Sequence, residues 1–304
     1  MLLAAEVPVP AVEPFGMNDM KIAGLEKCSF VDYPGCLSAV VFTPGCNMNC
    51  FYCHNRQLIG RGAAPAGAHS DGATAEPLTV TSVMDLLERR RSMLDAVVVT
   101  GGEPTLQVGL EAFLAAVRAM GFRTKLDTNG TNPDVLKTLL DERLVDFVAM
   151  DVKAPTDMYE QICGTPVDQS AISRSIALLM EGGAAYEFRT TFAPPLTAED
   201  ILRIALRIRG ARSYVLQQYR PQADAPAPRC TTAPPPHSDA YIRAAAETLR
   251  PFVRHCSVRG IRQATALMPA HRPPVAALNP ARAGDPVATP QYAPAQLAFA
   301  DAQA

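Results

Sequence analysis

Three cysteines, Cys46, Cys50 and Cys53, lie in one short segment of the chain. Three thiolates on a single loop can occupy three corners of a cubane [4Fe–4S] cluster and leave the fourth iron without a protein ligand. An open coordination position is typical of catalytic rather than structural metal sites, because a small molecule can bind there. The spacing therefore predicts a [4Fe–4S] cluster that takes part in a reaction.

Other uses of the three thiols fit the sequence less well. A structural zinc ion usually has four protein ligands, and His54 directly follows Cys53, which is poor geometry for binding the same ion. A ferredoxin site needs a fourth cysteine nearby, but the next one is Cys163. Zinc, a non-catalytic electron carrier and a chance group of thiols remain the alternatives. The remaining cysteines are expected to be small buried thiols: Cys28, Cys36, Cys163, Cys230 and Cys256.

The segments around these residues alternate between apolar strands and amphipathic helices. Continuous apolar strands suit a sheet that is covered on both faces, and strand–helix alternation indicates parallel, right-handed βαβ units. Strands are predicted at Leu37–Phe42, Ala96–Thr100, Arg123–Asp127, Phe147–Asp151, Ala185–Phe192, Ser213–Gln218 and Cys256–Arg259, with an edge strand or hairpin in Met20–Phe30. Helices are predicted at Thr81–Leu94, Leu110–Met120, Pro133–Asp141, Ala171–Glu181, Ala198–Arg209 and Ser238–Arg254.

Six βα units predict an α/β fold, a partial (β/α)6 barrel with fewer units than the eight of a complete TIM barrel. The cysteine loop and three polar motifs each follow a predicted strand. Because the carboxyl ends of parallel strands meet at one edge of a sheet, these groups are expected to form one site. The motifs are Gly101-Gly102-Glu103, Asp127-Thr128 and Asp151-Val152-Lys153.

Composition limits the other possibilities for the 304 residues. The chain is 48% hydrophobic and 19% charged with a net charge of −2, which permits a sizeable core and gives no support for binding nucleic acid or a membrane surface. The sequence has neither a membrane-spanning apolar run nor a convincing signal peptide, so a cytoplasmic location is expected. We predict an N-terminal arm at 1–19, one domain at 20–262 and a disordered tail at 263–304; within the domain, 61–77 is a mobile insertion and 221–236 a proline-rich connection.

The C-x3-C-x2-C spacing, with Tyr52 before the last cysteine, resembles the radical S-adenosylmethionine (SAM) superfamily. The stretches Val31–Gly35 and Cys53–Asn55 are similar to those of glycyl-radical-enzyme activases, above all the activating protein of anaerobic ribonucleoside-triphosphate reductase. The resemblance runs from about Lys21 to Gly260. It implies a barrel of the radical SAM type in which a [4Fe–4S] cluster reductively cleaves SAM. The resulting 5′-deoxyadenosyl radical then generates a glycyl radical on a partner enzyme.

The resemblance also assigns roles to individual residues. Tyr52 is expected near the adenine, and Gly101, Gly102 and Glu103 at the methionyl amine, since carbonyls and a carboxylate accept hydrogen bonds from an ammonium group. The motifs at the next two strand ends are expected near the methionyl carboxylate, either through Lys153 directly or, as in some members, through a monovalent cation. These cofactor contacts are Asp127, Thr128, Asp151 and Lys153. Arg189 is a candidate substrate contact, and Phe192–Pro195 loosely resembles an adenine-binding loop.

The partner implied is a glycyl radical enzyme, with a reduced flavodoxin or ferredoxin as electron donor. Two related enzymes remain alternatives: a pyruvate formate-lyase activase, which the residues Cys53-His54-Asn55-Arg56 would also fit, and a small-molecule enzyme such as 7-carboxy-7-deazaguanine synthase. An electron carrier is the alternative from another class. It would have no need of the Gly101–Glu103 and Asp151–Lys153 motifs, which resemble aminoacyl-binding groups.

Overall fold

The computed structural model describes residues 16–59, 78–221 and 234–262. The predicted insertion at 61–77 and tail at 263–304 lie outside these residues, as do most of the arm at 1–19 and of the connection at 221–236. Within the described ranges, no helix is long and apolar enough to cross a membrane.

A single sheet forms the centre of the fold, and its strand order follows the sequence from β1 to β8. The first strand pairs antiparallel with the second, and every later neighbouring pair is parallel. The strands are β1 Gly24–Ser29, β2 Ser38–Thr43, β3 Ala96–Gly101, β4 Arg123–Thr128, β5 Phe147–Asp151, β6 Ala185–Phe192, β7 Tyr214–Gln218 and β8 Cys256–Arg259.

Helices connect the parallel strands, as right-handed crossovers require. They are α1 Val80–Arg89, α2 Leu110–Ala119, α3 Pro133–Asp141, α4 Tyr159–Cys163, α5 Gln169–Glu181, α6 Ala198–Arg207 and α7 Asp239–Leu249. Thr79 caps α1 by accepting a hydrogen bond from the Ser82 amide. Two predicted helices were too long, because the chain turns after Arg89 and after Leu249, and the five-residue α4 was not predicted.

Alternate residues of the strands pack on opposite faces of the sheet. Val97 and Val99 on β3 join the large core between sheet and helices, whereas Val98 packs with Tyr33 and Cys36 in a small cluster on the other face. Polar residues that follow Val98 on this inner face, beginning with Thr100, line a cavity. The predicted partial (β/α)6 barrel is therefore confirmed, with an apolar base inside and a polar cavity above it.

Candidate functional site

A cavity of about 420 Å³ lies at the carboxyl ends of the parallel strands, within the size range of small-molecule sites. All eleven residues predicted for the site line this one cavity, together with Arg189. They are Cys46, Tyr52, Cys50, Cys53, Gly101, Gly102, Glu103, Asp127, Thr128, Asp151 and Lys153. Phe192–Pro195 does not line it, and the Phe192 ring instead packs against His237 and Tyr241.

The loop that carries the cysteines is held from several sides by hydrogen bonds. The amide of Gly45 donates to the Leu58 carbonyl at 2.5 Å, and the amide of Asn49 donates to the Cys163 carbonyl at 2.8 Å. The Arg56 guanidinium donates to the Cys50 carbonyl at 3.2 Å and to the Asn49 side chain at 3.0 Å. These bonds anchor both ends of the loop, so the positions of the cysteines do not depend on a bound group alone.

The two glycines after β3 let the backbone approach the cysteine loop closely. A Cβ atom on Gly102 would lie 1.9 Å from the Gly45 carbonyl oxygen, and one on Gly101 would lie 2.4 Å from the Thr43 amide nitrogen. The Gly102 amide donates to the Thr43 carbonyl at 2.9 Å, and the Glu103 amide donates to that of Gly45 at 2.8 Å. Only glycine fits here, because any side chain would displace the loop that carries the cysteines.

Glu103 is 1% exposed, and both oxygens of its carboxylate accept hydrogen bonds from neutral donors. Its Oε1 accepts hydrogen bonds from the Thr105 amide (3.1 Å), the Thr105 hydroxyl (2.6 Å) and the Thr128 hydroxyl (2.7 Å). Its Oε2 accepts one from the Asn129 amide at 2.6 Å. Burial raises the pKa of Glu103, and these hydrogen bonds offset only part of the effect. The side chain therefore ties the ends of β3 and β4 together, which leaves the backbone of this motif to meet a ligand.

Two nitrogen donors point at the sulfur of Cys46. The Met48 amide donates to Sγ at 3.4 Å, and the Asn129 side-chain amide lies 3.9 Å from it. Burial raises the pKa of the Cys46 thiol to about 11 and that of Cys53 above its ordinary value, which disfavours bare thiolates. Hydrogen bonds to a ligand sulfur are among the ways in which a protein tunes an iron–sulfur cluster.

Cys163 lies next to Cys50, which the sequence analysis did not anticipate. The Cys163 thiol hydrogen-bonds the Cys50 sulfur and holds the pKa of Cys50 below its ordinary value. The prediction of a buried thiol is confirmed for Cys36 and Cys163 and is wrong for Cys28, which is exposed, whereas Cys256 is half-buried. Cys230 is outside the described residues.

Within the ranges that the structure describes, no three histidine, cysteine, aspartate or glutamate side chains converge to hold a single metal ion. Cys46, Cys50 and Cys53 instead line the wall of the cavity. In a cubane each cysteine ligates a different iron, so three thiols of one loop that line the same cavity suit a cluster. The donor set and its arrangement therefore fit a [4Fe–4S] cluster held by three cysteines.

A charged network occupies the wall formed by β4, β5 and β6. Arg189 bridges two carboxylates, since its Nε donates to Asp151 Oδ1 at 2.8 Å and a terminal nitrogen donates to Asp127 Oδ2 at 3.2 Å. Lys153 pairs with Asp151 Oδ2 at 3.2 Å, and Lys125 pairs with Asp127 Oδ1 at 2.5 Å. The network therefore has three cations and two anions, an excess of one positive charge.

The cations outweigh burial in setting the ionisation of the network. Burial by itself would raise the pKa of Asp151, but Arg189 and Lys153 lower it to about 2, and Arg189 and Lys125 likewise lower the pKa of Asp127. Burial would lower the pKa of Lys153, yet the Asp151 carboxylate raises it well above its ordinary value. Asp127, Asp151 and Lys153 are thus charged at neutral pH, and the surplus positive charge of the ion pairs favours an incoming anion.

Tyr52 connects the cysteine loop with this network. Its side chain is buried, its ring packs edge-on against Phe51 at 5.1 Å, and the Lys153 ammonium lies 6.0 Å from the ring centroid. The Lys153 backbone amide donates to the Tyr159 hydroxyl at 3.1 Å, which fixes the chain after β5. The aromatic side chain and the lysine therefore form one continuous surface of the cavity.

Lys125 and Asn129 are two residues of the site and its charged network that sequence reasoning missed. In the sequence, Asn129-Gly130 is typical of a turn. Only the fold shows that the Asn129 side chain donates to Asn47 in the cysteine loop while its backbone amide donates to the Glu103 carboxylate. Lys125 lies in an apolar strand two residues before Asp127, and residues at that spacing share a face of a strand. That spacing is the signal by which the Lys125–Asp127 pair could have been found.

The family model of the radical SAM superfamily matches residues 40–208 of the chain. A protein of Methanocaldococcus jannaschii, named provisionally as a glycyl-radical enzyme activating enzyme, is 36% identical over 207 residues, which cover 66% of this chain and 80% of that protein.

Two shorter matches name different activities. The pyruvate formate-lyase 1-activating enzyme of Escherichia coli is 31% identical over 149 residues, 46% of this chain and 55% of the relative. The 7-carboxy-7-deazaguanine synthase of Methanopyrus kandleri is 34% identical over 128 residues, 39% of this chain and 50% of the relative. The chain thus spans about half the length of each of these two enzymes.

Proposed function

The chain belongs to the radical SAM superfamily, and we propose that it is the activating enzyme of a glycyl radical enzyme, with anaerobic ribonucleoside-triphosphate reductase as its partner. As a member of this superfamily it is an enzyme that uses a [4Fe–4S] cluster and SAM. When bound, these cofactors supply a 5′-deoxyadenosyl radical, which would abstract the α-hydrogen of a glycine in the partner. The observation that carries the proposal is that all eleven predicted residues line one cavity.

In this proposal the cysteine loop holds the cluster. Cys46, Cys50 and Cys53 would each ligate one iron, and the fourth iron would face the rest of the cavity. The hydrogen bonds from the Met48 amide and the Asn129 side chain would then go to a ligand sulfur, which they help to orient. Because Gly101 and Gly102 press against this loop, the cofactor-binding motif and the cluster would be held at a constant separation.

The other walls of the cavity would bind SAM. The carbonyls of the Gly101–Glu103 backbone can accept hydrogen bonds from the methionyl amine, while the surplus positive charge beside Lys153 attracts the carboxylate. Tyr52 provides an apolar ring for the adenine. Asp127, Thr128 and Asp151 would act largely by placing these groups, since their side chains already bond to one another or to neighbouring residues.

An exposed apolar pair beside the cavity suits the docking of a protein partner. Phe30 and Val31 are 70% and 83% exposed, in the loop between β1 and β2. The next residue, Asp32, lines the cavity itself. Ser29 at the end of β1 pairs with Ser38 at the start of β2, so this loop lies at the amino end of the parallel strands. A polypeptide bound to Phe30 and Val31 would therefore approach the cavity from the side of Asp32, where a glycine of that polypeptide could reach the radical. Large exposed apolar side chains at such a place are typical of interaction sites.

The identity of the partner rests on the resemblance of the Val31–Gly35 and Cys53–Asn55 stretches to the activating protein of anaerobic ribonucleoside-triphosphate reductase. The relative from Methanocaldococcus jannaschii supports glycyl radical chemistry without naming a partner. The proposal includes a reduced flavodoxin or ferredoxin as electron donor. It also includes a cytoplasmic location, where such donors and reduced cysteine thiols occur together.

Electron paramagnetic resonance tests this function. The reconstituted protein, SAM and dithionite are mixed anaerobically with an anaerobic ribonucleotide reductase, and in parallel with a pyruvate formate-lyase. We expect a glycyl radical doublet on the reductase, and transfer of deuterium from its labelled glycine to 5′-deoxyadenosine. A doublet only on the formate-lyase would change the partner, and the absence of a doublet on both would refute the activase function.

Substitution of the exposed pair tests the docking surface. The double variant Phe30→Ser/Val31→Ser should lose most of its ability to produce the glycyl radical while it still cleaves SAM without the partner, because neither side chain lines the cavity. The matched control is Leu206→Ser, since Leu206 is 48% exposed on α6, whose neighbouring strands β6 and β7 do not pair with β1 or β2. Equal losses in both variants would show that the pair has no specific role.

A small-molecule reaction is the second candidate, because part of the chain matches a 7-carboxy-7-deazaguanine synthase. In that case a small-molecule substrate would accelerate release of 5′-deoxyadenosine, and no protein partner would be needed. The same assay with the synthase's substrate in place of the reductase separates the two reactions.

A further inference from the structure

The charged network contains a buried lysine, Lys125, which is neither a predicted cluster ligand nor a predicted SAM contact. Its side chain is 3% exposed and points to the inner face of the barrel, where the Phe147 ring lies 5.9 Å from the ammonium. On the other side, the ammonium lies 2.5 Å from Asp127 Oδ1. We infer that the Lys125 ammonium is a built-in counter-cation for Asp127, in the place where a monovalent metal ion would otherwise be bound, and that SAM binding by this protein therefore needs no such ion.

The carboxylate oxygens of the network are already occupied. Lys125 contacts one oxygen of Asp127 and Arg189 the other, while Arg189 and Lys153 each contact one oxygen of Asp151. The Thr100 hydroxyl adds a hydrogen bond to Asp127 Oδ2 at 3.3 Å. A sodium or potassium ion needs oxygen ligands, and here each of these four oxygens already has a cationic partner. The residues therefore do not fit an additional monovalent cation.

Charge balance leads to the same conclusion. With Lys125 the network has three positive and two negative charges. The one surplus positive charge is matched by the single carboxylate of SAM. A metal ion added to this set would lie among three cations, where repulsion is strong because the site is buried. Removal of the Lys125 charge would make the network neutral and leave Asp127 Oδ1 without a partner. An ammonium group and a potassium ion are similar in size and charge, so an added ion could then fill the gap.

This inference rests on the SAM-binding part of the proposed function and not on the identity of the partner enzyme. SAM binding to the reconstituted holoenzyme is measured in potassium, sodium and tetramethylammonium chloride at equal ionic strength. Tetramethylammonium is too bulky to enter the site, so it reports binding without a metal ion. Failure of the wild-type protein to bind SAM in every salt would refute the proposed function, whereas the pattern among the salts tests Lys125.

The wild-type protein should have the same SAM affinity in all three salts. The variant Lys125→Met preserves the length of the side chain but removes the charge-assisted contact with Asp127 and, with it, the surplus positive charge of the network. It should bind SAM about tenfold or more weakly in tetramethylammonium. Potassium or sodium should restore most of that affinity. The matched control is Lys137→Met, since Lys137 is an exposed lysine that pairs with Asp141 on α3, and it should behave as wild type in each salt.

Two results would overturn the inference. One is a wild-type affinity that falls severalfold when potassium and sodium are removed, because a metal ion would then be part of the site. The other is a Lys125→Met variant with wild-type affinity in all three salts. If this variant does not fold, the double variant Lys125→Met/Asp127→Asn removes both charges of the pair. Its SAM affinity should be the same in all three salts. The melting temperature of each apoprotein in the three salts gives a readout independent of SAM, and only Lys125→Met should be stabilised by potassium or sodium.

Discussion

Two groups of buried carboxylates lie at neighbouring strand ends of the same cavity, and their surroundings differ. Glu103, after β3, is bound only by neutral donors, and burial raises its pKa. Asp127 and Asp151, at the ends of β4 and β5, are bound by three cations, and their pKa values are lowered. A sequence motif alone shows each of these only as an acidic residue after a strand.

The difference indicates different roles in the site. A carboxylate with four neutral donors holds the surrounding backbone together, so Glu103 is a positioning residue for the cysteine loop and the end of β4. The cations around Asp127 and Asp151 instead leave a surplus positive charge facing the cavity, which suits the binding of an anion. Changes in the first group should therefore alter stability and cluster content, and changes in the second should alter cofactor affinity as well.

The largest effect is expected from removal of the cation shared by both aspartates. Arg189→Met would leave two buried carboxylates without their common partner, which should lower the free energy of unfolding of the apoprotein by about 3–5 kcal/mol. Urea denaturation measures this change. The control is Arg174→Met, because Arg174 forms an exposed ion pair with Asp134 and should contribute about 1 kcal/mol or less. Similar losses for the two variants would mean that the network is not closed to solvent.

A smaller effect is expected at Glu103. In Glu103→Gln the amide NH2 would face one of the donors that now point at a carboxylate oxygen, at a cost of about 1–3 kcal/mol in the free energy of unfolding. The reconstituted variant should also bind less iron, since the Thr128 and Asn129 contacts weaken. Glu142→Gln, at an exposed position after α3, is the matched control and should leave both quantities unchanged. An unchanged free energy of unfolding in Glu103→Gln would show that the hydrogen bonds of Glu103 do not stabilise the ends of β3 and β4.

The smallest effect is expected in the pH dependence of the apoprotein. The pKa of Asp151 falls from 3.8 to about 2 on folding, so its stabilising contribution is present above about pH 4 and is lost as the pH falls toward 2. With its side chain 29% exposed, the loss should be about 1–2 kcal/mol. Asp151→Asn should flatten the pH profile of unfolding in this range, whereas the exposed Asp141→Asn should not. A wild-type stability independent of pH between 4 and 2 would contradict the charged description of the network.

Much of the fold could be predicted because short segments that are apolar or alternate between apolar and polar residues determine the strands. Phe147–Asp151 and Ala185–Phe192 were predicted with the bounds that the structure has. Helix ends were less accurate, since apolar residues continue past the end of α7 at Leu249, where Phe252 and Val253 pack in turns. The helix α4 was missed because five residues are too few to show a helical period.

The predicted residues of the cavity could be found for a topological reason: each lies at or after the carboxyl end of a parallel strand, and those ends converge. What could not be predicted is which side chains pair with which. The four donors to Glu103 come from Thr105 after β3 and from Thr128 and Asn129 at the end of β4, and Cys163 of α4 lies next to Cys50 of the cysteine loop. Such contacts depend on strand register and loop geometry, which no single segment of the sequence encodes.

SAM affinity at equal cluster content tests the contrast between the two carboxylate groups most directly. Lys153→Met and Glu103→Gln are reconstituted, and binding is expressed per [4Fe–4S] cluster. We predict that Lys153→Met assembles its cluster but binds SAM about tenfold or more weakly, because a buried charge-assisted contact is lost. The molecules of Glu103→Gln that do contain a cluster should bind SAM nearly as well as wild type. A Glu103→Gln variant that binds SAM more weakly than Lys153→Met would contradict this assignment of roles.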